Sequence, residues 1–188
     1  MECKIVSGGR FRIDGGAMFG VVPKSLWERQ IPADDRNRVR LSCRALLLES
    51  VDGKDKILVD TGAGTKWSAK LADIYGVDRE TPALVHSLAA HGLSTGDITE
   101  VLLTHLHFDH VGWNIDYTGS EPKPYFPNAR YLAPQLDWDH FTKPEFAKDA
   151  PWVAENILPL EKMGILELIE DGHIVSDEIK AISTPGHT

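Results

Sequence analysis

The sequence predicts an α+β domain, because apolar runs of strand length alternate with segments of helical spacing. Residues 41–49 form a mostly apolar run, and residues 57–59 form a second one after a polar turn, so together they predict a β-hairpin. Residues 67–75 and 81–92 have helical composition and spacing, and each segment ends near a glycine. Residues 101–103 are a short apolar run typical of a buried strand.

Composition and charge narrow the class of protein. The 188 residues are 42% hydrophobic and 26% charged, which predicts a single globular domain over residues 1–188. A net charge of −8 offers no basic surplus to neutralise phosphates, so nucleic acid is not expected as a partner. A membrane is not expected either, because no apolar run has the length of a span. Cys3 and Cys43 form no disulfide framework, which favours a reducing, cytoplasmic location.

The N-terminal stretch is rich in glycine. Residues 4–6 and 10–13 predict two short strands around a turn at residues 7–9. Residues 14–27 begin with glycines and continue with apolar residues. A phosphate-binding loop is one interpretation of this segment, but it lacks the lysine-serine ending and the strand-to-helix context that such a loop needs.

Proline and glycine mark the boundaries of the later elements. Thr81 is expected to be the N-cap of its helix, Pro82 its first-turn residue and Gly92 its stop. Three prolines within residues 120–128 predict a loop. The remaining predicted elements are a strand at 129–133, short helices at 135–141 and 151–158, and strands at 165–169 and 179–182.

The residues that carry chemistry directly follow the 101–103 strand. Three histidines and one aspartate (His105, His107, Asp109 and His110) fall within six positions. If strand geometry continues past Thr104, His105 and His107 point to one side, because strand side chains alternate. Asp109 and His110 are adjacent, so they require a turn. Neutral imidazoles beside a carboxylate suit a catalytic zinc, iron or manganese ion, whereas the alternative is a polar loop whose histidines have structural partners.

Three motifs resemble those of the metallo-β-lactamase-fold hydrolases. Residues 104–110 (Thr-His-Leu-His-Phe-Asp-His) resemble the metal-binding signature of the family, residues 59–62 (Val-Asp-Thr-Gly) its Asp-Thr-Gly turn, and residues 183–188 (Ser-Thr-Pro-Gly-His-Thr) its next histidine motif. The resemblance covers essentially the whole chain and implies an αββα four-layer sandwich. The bridging aspartate and final histidine of the family have no counterpart here, so we expect most of the second αβ half to be missing.

The resemblance also assigns metal ligands. It implies that His105, His107 and His187 hold one ion and that Asp109 and His110 begin a second site. Two zinc ions are expected in the full family domain, with iron or manganese as alternatives. Asp109 is expected to be catalytic as well, because it can hold or orient the attacking water.

Further residues are expected around the ions. Asp60 is expected to orient a ligand histidine, whereas the alternative is that its carboxylate caps the following turn. Residues 14–27 resemble the N-terminal segment of the lactonase and organophosphate-hydrolase branch, which lies along the mouth of the metal site. That segment is expected to supply an apolar substrate wall, with ordinary core packing as the alternative. The candidate wall residues are Met18, Phe19, Val22 and Trp27.

The resemblance implies a metal-dependent hydrolase that acts on an ester-like bond of a small molecule. The branch it resembles most is that of the quorum-quenching lactonases, which open N-acyl-homoserine lactones. Leu106 fits lactonases better than glyoxalase-type thioester hydrolases, which tend to carry a histidine there. The alternatives are a β-lactamase, an organophosphate hydrolase or a thioesterase of the same fold, or an inactive metal-binding fragment. A homodimer is possible, and the incomplete second site predicts that this chain is a slow catalyst or none.

Overall fold

A computed structural model of the protein describes residues 1–79 and 81–187 and has a six-stranded mixed sheet at its centre. The strands of the described residues are β1 (Glu2–Asp14), β2 (Arg38–Glu49), β3 (Lys56–Val59), β4 (Glu100–Leu102), β5 (Ile115–Asp116), β6 (Lys123–Pro124), β7 (Arg130–Pro134), β8 (Leu166–Ile169), β9 (Ile174–Ser176) and β10 (Ile179–Lys180). The central sheet has the order β1-β2-β3-β4-β7-β8. Its first three strands are antiparallel, which confirms the predicted hairpin, and β3, β4, β7 and β8 are parallel.

The first strand corrects the prediction of two short strands around a turn. β1 is continuous and pairs with the whole of β2, with a change of register between Ser7 and Gly9. A β-bulge accommodates an extra residue without ending the strand, and Gly9 allows it because its φ is +108°. The glycines that predicted a turn therefore mark a bulge.

Short helices connect the strands and cover the sheet. They are α1 (Gly15–Phe19), α2 (Lys24–Trp27), α3 (Ala69–Tyr75), α4 (Ala83–Ala90), α5 (Phe108–Val111), α6 (Gln135–Phe141), α7 (Pro144–Ala147), α8 (Pro151–Asn156) and α9 (Leu158–Lys162). None of the described helices has the length and apolar character needed to cross a bilayer.

Two helix boundaries differ from the prediction. α4 begins at Ala83, and Pro82 rather than Thr81 occupies the N-cap, without a side-chain hydrogen bond. The helix expected over residues 151–158 is interrupted at Ile157, and a second helix begins with Pro159 in its first turn. Proline has no backbone N–H to donate, so it is tolerated in a first turn but not within a continuous helix.

The second half of the chain contains short strands that the sequence did not predict, namely β5, β6 and β9, whereas β10 lies within the predicted strand 179–182. β6 lies within the predicted loop 120–128 and pairs with β5. β9 pairs with β10, which ends at Lys180. Residues 181–187 therefore reach His187 through irregular backbone rather than at the end of a strand. Thr188, the last residue of the predicted histidine motif, lies outside the described residues.

Alternating residues of the sheet belong to different cores. Ala45, Leu47 and Leu58 pack with α4 and the C-terminal helices in the main cluster. On the opposite face, Ile57 and Leu132 pack in a smaller cluster together with β9. This alternation follows from strand geometry, in which successive side chains point to opposite faces.

Candidate metal centre

The predicted histidines lie where β4 ends and α5 begins. β4 ends at Leu102, so strand alternation does not extend to His105 and His107, contrary to the geometry considered for them. α5 supplies the turn expected at Asp109 and His110. Adjacent residues on a helix leave the axis roughly 100° apart, so these two side chains can approach neighbouring points from one short element.

Two histidines of one segment and a third from near the end of the described chain converge at this point. One ring nitrogen from each of His105, His107 and His187 lies within 4.8 Å of the others. We call these three residues the histidine cluster. His107 Nδ1 and His187 Nε2 are 3.1 Å apart, although 80 residues separate them in the sequence.

The protonation state of His105 suits a metal ligand. Burial, followed by the neighbouring His110 and His107, lowers the pKa of His105 to about 4, so its ring is neutral at neutral pH. Its Nε2 atom is buried and has no hydrogen-bond partner among the described residues. A buried polar atom without a partner is costly unless a ligand binds it. A metal ion in the cluster would satisfy this nitrogen.

His110 lies beside the cluster, with its ring centroid 3.9 Å from that of His105. Its Nδ1 is 2.7 Å from Asp60 Oδ2, and its Nε2 is 3.5 Å from Asp109 Oδ2. Burial lowers the pKa of His110, but hydrogen bonds to Asp109 and Asp60 raise it overall to about 9. Metal binding at His110 must therefore displace a proton, because only the neutral imidazole is a ligand.

Asp60, the residue after β3, contacts both His110 and Thr104. Its φ is +61°, in the left-handed region that non-glycine residues seldom occupy, and its side chain is buried. Besides His110, its carboxylate accepts hydrogen bonds from the Thr104 backbone N–H (2.8 Å) and the Thr104 hydroxyl (2.9 Å). The Thr104 hydroxyl is in turn 3.0 Å from His105 Nδ1. If His105 Nδ1 donates to that hydroxyl, Nε2 carries the lone pair.

A comparison with known families agrees with this geometry. The sequence profile of the metallo-beta-lactamase superfamily matches residues 38–188, well over half of the chain. The chain belongs to this superfamily. No curated protein gave a significant match.

Solved structures with the superfamily fold superpose on most of the chain. A probable metal-dependent hydrolase from Staphylococcus aureus is 32% identical, with a TM-score of 0.81, and the match covers 95% of this chain and 62% of that one. The hydrolase AbOPH (21% identity, TM-score 0.67) and the dizinc quorum-quenching lactonase AidC (21%, 0.64) each match over 92% of this chain and 59% of their own. The chain thus spans about 60% of the length of these structures.

The loop of residues 60–64, which we call the Asp60 loop, lies directly against α5. Thr61 N–H donates to His110 O (2.7 Å), and Gly112 N–H donates to Gly62 O (2.7 Å). Gly64 and Gly112 face each other so closely that a Cβ atom on Gly64 would collide with the Gly112 carbonyl. These backbone contacts hold α5, and with it Asp109 and His110, at the end of β3.

Phe108, which the sequence analysis did not single out, places an aromatic ring directly after His107 in the sequence. Its ring contacts Phe11 and Trp67, with centroids 5.4 Å apart in each case, and Tyr75 at 5.5 Å. We call these four residues the Phe108 cluster. The signal that could have identified it was the apolar residue between His107 and Asp109.

The predicted substrate wall forms a separate group. Phe19 stacks on Trp27 with centroids 4.8 Å apart, and Trp27 covers Gly15. Met18 and Val22 are 47% and 45% exposed. Within the described residues, no hydrogen bond or ring contact joins this group to the histidine cluster. Their contact with a substrate stays a prediction.

Proposed function

We propose that this superfamily chain is a metal-dependent hydrolase of a small molecule and that its substrate is a lactone of the N-acyl-homoserine type. The observation that carries the proposal is the convergence of the three cluster nitrogens beside Asp109 and His110. Imidazole and carboxylate donors in this combination favour a catalytic zinc ion over a purely structural one, with iron or manganese as alternatives.

The proposed roles follow from the position of each side chain. His105, His107 and His187 would hold one ion, and Asp109 and His110 would contribute to a second. When bound, zinc supplies Lewis acidity toward a carbonyl and lowers the pKa of water. Asp60 would act indirectly, because it orients His110 directly and His105 through Thr104.

Asp109 is the proposed catalytic residue among the protein side chains. Burial raises its pKa, but the hydrogen bond from His110 and the charges of the nearby histidines lower it overall. It is therefore a carboxylate at neutral pH and can accept a hydrogen bond from water. This would orient the water toward a substrate carbonyl held beside the histidine cluster.

The lactone is the finer part of the proposal. AidC is a lactonase in complex with N-hexanoyl-homoserine product, and its fold is that of this chain. The Phe108 cluster is a packed apolar group that begins next in sequence to His107, and the edge of its partly buried rings is the proposed contact for an acyl chain. The predicted wall of Met18, Phe19, Val22 and Trp27 is a second candidate surface.

Organophosphate hydrolysis is the second candidate function. Residues 14–27 resemble the N-terminal segment of a branch that includes organophosphate hydrolases as well as lactonases, and this resemblance supports the second candidate. The proposed setting is the cytoplasm, where the free cysteines Cys3 and Cys43 would stay reduced.

Metal content and a substrate panel test the proposal together. We expect near-stoichiometric zinc, iron or manganese in untagged protein, and loss of that metal in a His105→Ala/His107→Ala double variant. The matched control is His86→Ala/His91→Ala, which removes two exposed histidines near α4. Metal that survives in the His105/His107 variant would contradict the site.

The panel then compares a homoserine lactone, a phosphotriester, a β-lactam and a thioester with the zinc-loaded chain. We expect the lactone to be hydrolysed fastest and the double variant to lose that activity. Faster phosphotriester turnover would favour the organophosphate alternative. Metal binding with no turnover of any ester would favour an inactive metal-binding fragment.

A further inference from the structure

Lys66 is a partly buried cation that reaches the residues after α5. Its Nζ donates to Gly112 O (2.8 Å) and to Ile115 O (2.5 Å), 46 and 49 residues further along the chain. Burial lowers the pKa of Lys66 to about 8, although Glu155 and Asp116 raise it. Glu155 and Asp116 therefore offset only part of the cost of removing the charged ammonium from water.

The surroundings of Lys66 differ from those of the histidine cluster. Lys66 lines a cavity of about 370 Å³ together with Arg79, Tyr117 and Tyr125, and its ammonium lies 5.7 Å from the Tyr117 ring centroid. The cluster histidines are not among the residues that line this cavity. Lys66 is therefore not one of the proposed metal ligands. Its hydrogen bonds are with two backbone carbonyl groups.

Stability alone does not account for a buried ammonium at this position. Removing a cation from water is costly, and the hydrogen bonds to the Gly112 and Ile115 carbonyls offset part of that cost. The lowered pKa has the same meaning, because it shows that folding disfavours the charged form. The cost of desolvation therefore reduces the net contribution of Lys66 to stability, and the direct result of its two hydrogen bonds is that they fix the backbone after α5.

Those two hydrogen bonds restrain α5 at its C-terminal end. Gly112 is the C-cap of α5, and its carbonyl has no partner within so short a helix. The Asp60 loop restrains the same segment through Gly112 N–H and His110 O. Lys66 lies two residues after that loop in the sequence, so the single stretch of residues 60–66 binds both the N–H and the C=O of Gly112.

We propose that Lys66 is a positioning residue that holds α5 so that Asp109 and His110 stay beside the histidine cluster. The proposal rests on metal binding by this site, as proposed above, but not on the lactone. It assigns the stretch of residues 60–66 a single task, with Asp60 orienting the imidazole of His110 and Lys66 fixing the backbone that carries it.

Three variants test this role. Lys66→Met removes the charge at similar volume, Lys66→Arg retains a cation that can donate to both carbonyls, and Lys70→Met is the control. Lys70 is an exposed lysine of α3, four residues away. The measurements are backbone amide hydrogen exchange of the metal-free chain, thermal unfolding, and cobalt affinity by competition with a chelator. None of them requires turnover, so a failed lactone assay leaves the test intact.

For Lys66→Met we expect faster exchange at the amides of Thr61 and Gly112, and cobalt affinity lower by about 10-fold or more. Its unfolding temperature should change little, because the loss of two hydrogen bonds and the removal of a desolvated cation have opposite effects on stability. Lys66→Arg should recover most of the affinity, and Lys70→Met should change nothing. Unchanged exchange and affinity in Lys66→Met would overturn the proposal. So would a lower unfolding temperature with uniformly faster exchange, because that is the signature of a purely structural lysine.

Discussion

Hydrogen bonds at single residues determine which nitrogen of each histidine can face an ion. Asp60 accepts from His110 Nδ1 and, through the Thr104 hydroxyl, reaches His105 Nδ1. When Nδ1 of an imidazole is occupied, Nε2 is the nitrogen left for a ligand. One carboxylate therefore orients two of the proposed metal ligands.

Replacing that carboxylate should weaken metal retention. We expect Asp60→Asn to lower zinc affinity by about 10–100-fold, because the charge that orients both rings is lost. Thr104→Val should have a smaller effect, since it removes only the link to His105. Zinc affinity by chelator competition and circular dichroism of the folded state would check both expectations.

The control for this prediction is Asp52→Asn, which changes a carboxylate in the turn between β2 and β3. If Asp60→Asn unfolds while its folded fraction retains zinc normally, Asp60 stabilises a turn, as the alternative interpretation of the sequence held.

The sequence could identify the proposed ligands of the site but not the residues that position them. His105, His107, Asp109 and His110 were visible because they lie close together in the sequence, and His187 because of its family motif. Asp60 and Thr104 are 44 residues apart, and Lys66 is 46 residues from Gly112. Such contacts exist only after β3 and β4 have paired, so no local spacing predicts them.

At the scale of elements, the site depends on the close approach of the Asp60 loop to α5. Gly64 has a φ of +68° and faces the Gly112 carbonyl, whereas Gly92, after α4, has a φ of +76° with nothing within 4 Å of its missing Cβ. The two glycines share a backbone conformation and differ in their surroundings. They form a matched pair for measuring the cost of the approach.

We expect Gly92→Ala to lower the free energy of unfolding by about 1–2 kcal/mol, the cost of a left-handed residue with a Cβ. Gly64→Ala should lose roughly 1–3 kcal/mol more, because the loop must also move away from α5. Chemical denaturation would give both values. Equal losses would show that the loop yields without strain.

The connection before β2 should respond to acid. The Arg38 backbone N–H, with the Arg38 guanidinium and the Arg36 N–H, holds the pKa of Asp34 at about 2, against the effect of burial. The ordinary value is 3.8, so Asp34 stabilises the fold fully above that pH, and this contribution is lost as the pH falls through about 2.

We therefore expect Asp34→Asn to be less stable than the wild type at about pH 5 and the difference to shrink toward pH 2. Asp35→Asn, an exposed neighbour, is the control and should show no such convergence. Urea denaturation across this range would measure the difference. A difference in stability that stays constant with pH would mean that Asp34 has the same pKa in the folded and the unfolded chain.

Helices and strands were predicted correctly where their sequence pattern is long. They were missed where a strand forms only because it pairs with another strand. The β2–β3 hairpin and the helix of residues 135–141 have clear periodicity or boundaries, and both are confirmed. β5, β6 and β9 were not predicted, and they have only two or three residues each. A strand that short has no detectable period, because its partner alone makes it a strand.

At the scale of the whole molecule, one face of the sheet has an apolar row that is covered at one end only. The register aligns five apolar residues across five strands: Ile5, Leu46, Val59, Leu102 and Leu132. At the β7 end, Leu132 is fully buried in the cluster that includes Val175 of β9. At the β1 end, Ile5 is 65% exposed and Leu46 is 37% exposed.

The open end of this row should make the chain as printed self-associate. Exposed apolar surface on an edge strand and its neighbour favours contact with a second sheet, and β1 lies at the edge of the sheet with 13 residues. We expect concentration-dependent sedimentation for the wild type. The Ile5→Thr/Leu46→Thr variant removes apolar surface from both strands, while threonine, as a β-branched residue, still suits a strand. This variant should shift toward the monomer.

Val51→Thr is the control. It changes an apolar residue that is 93% exposed in the β2–β3 turn and should leave association unchanged. If the double variant associates as strongly as the wild type, the exposed sheet face is not the contact surface, and the exposed residues of the segment between β1 and β2, including Val21 and Leu26, become the next candidates.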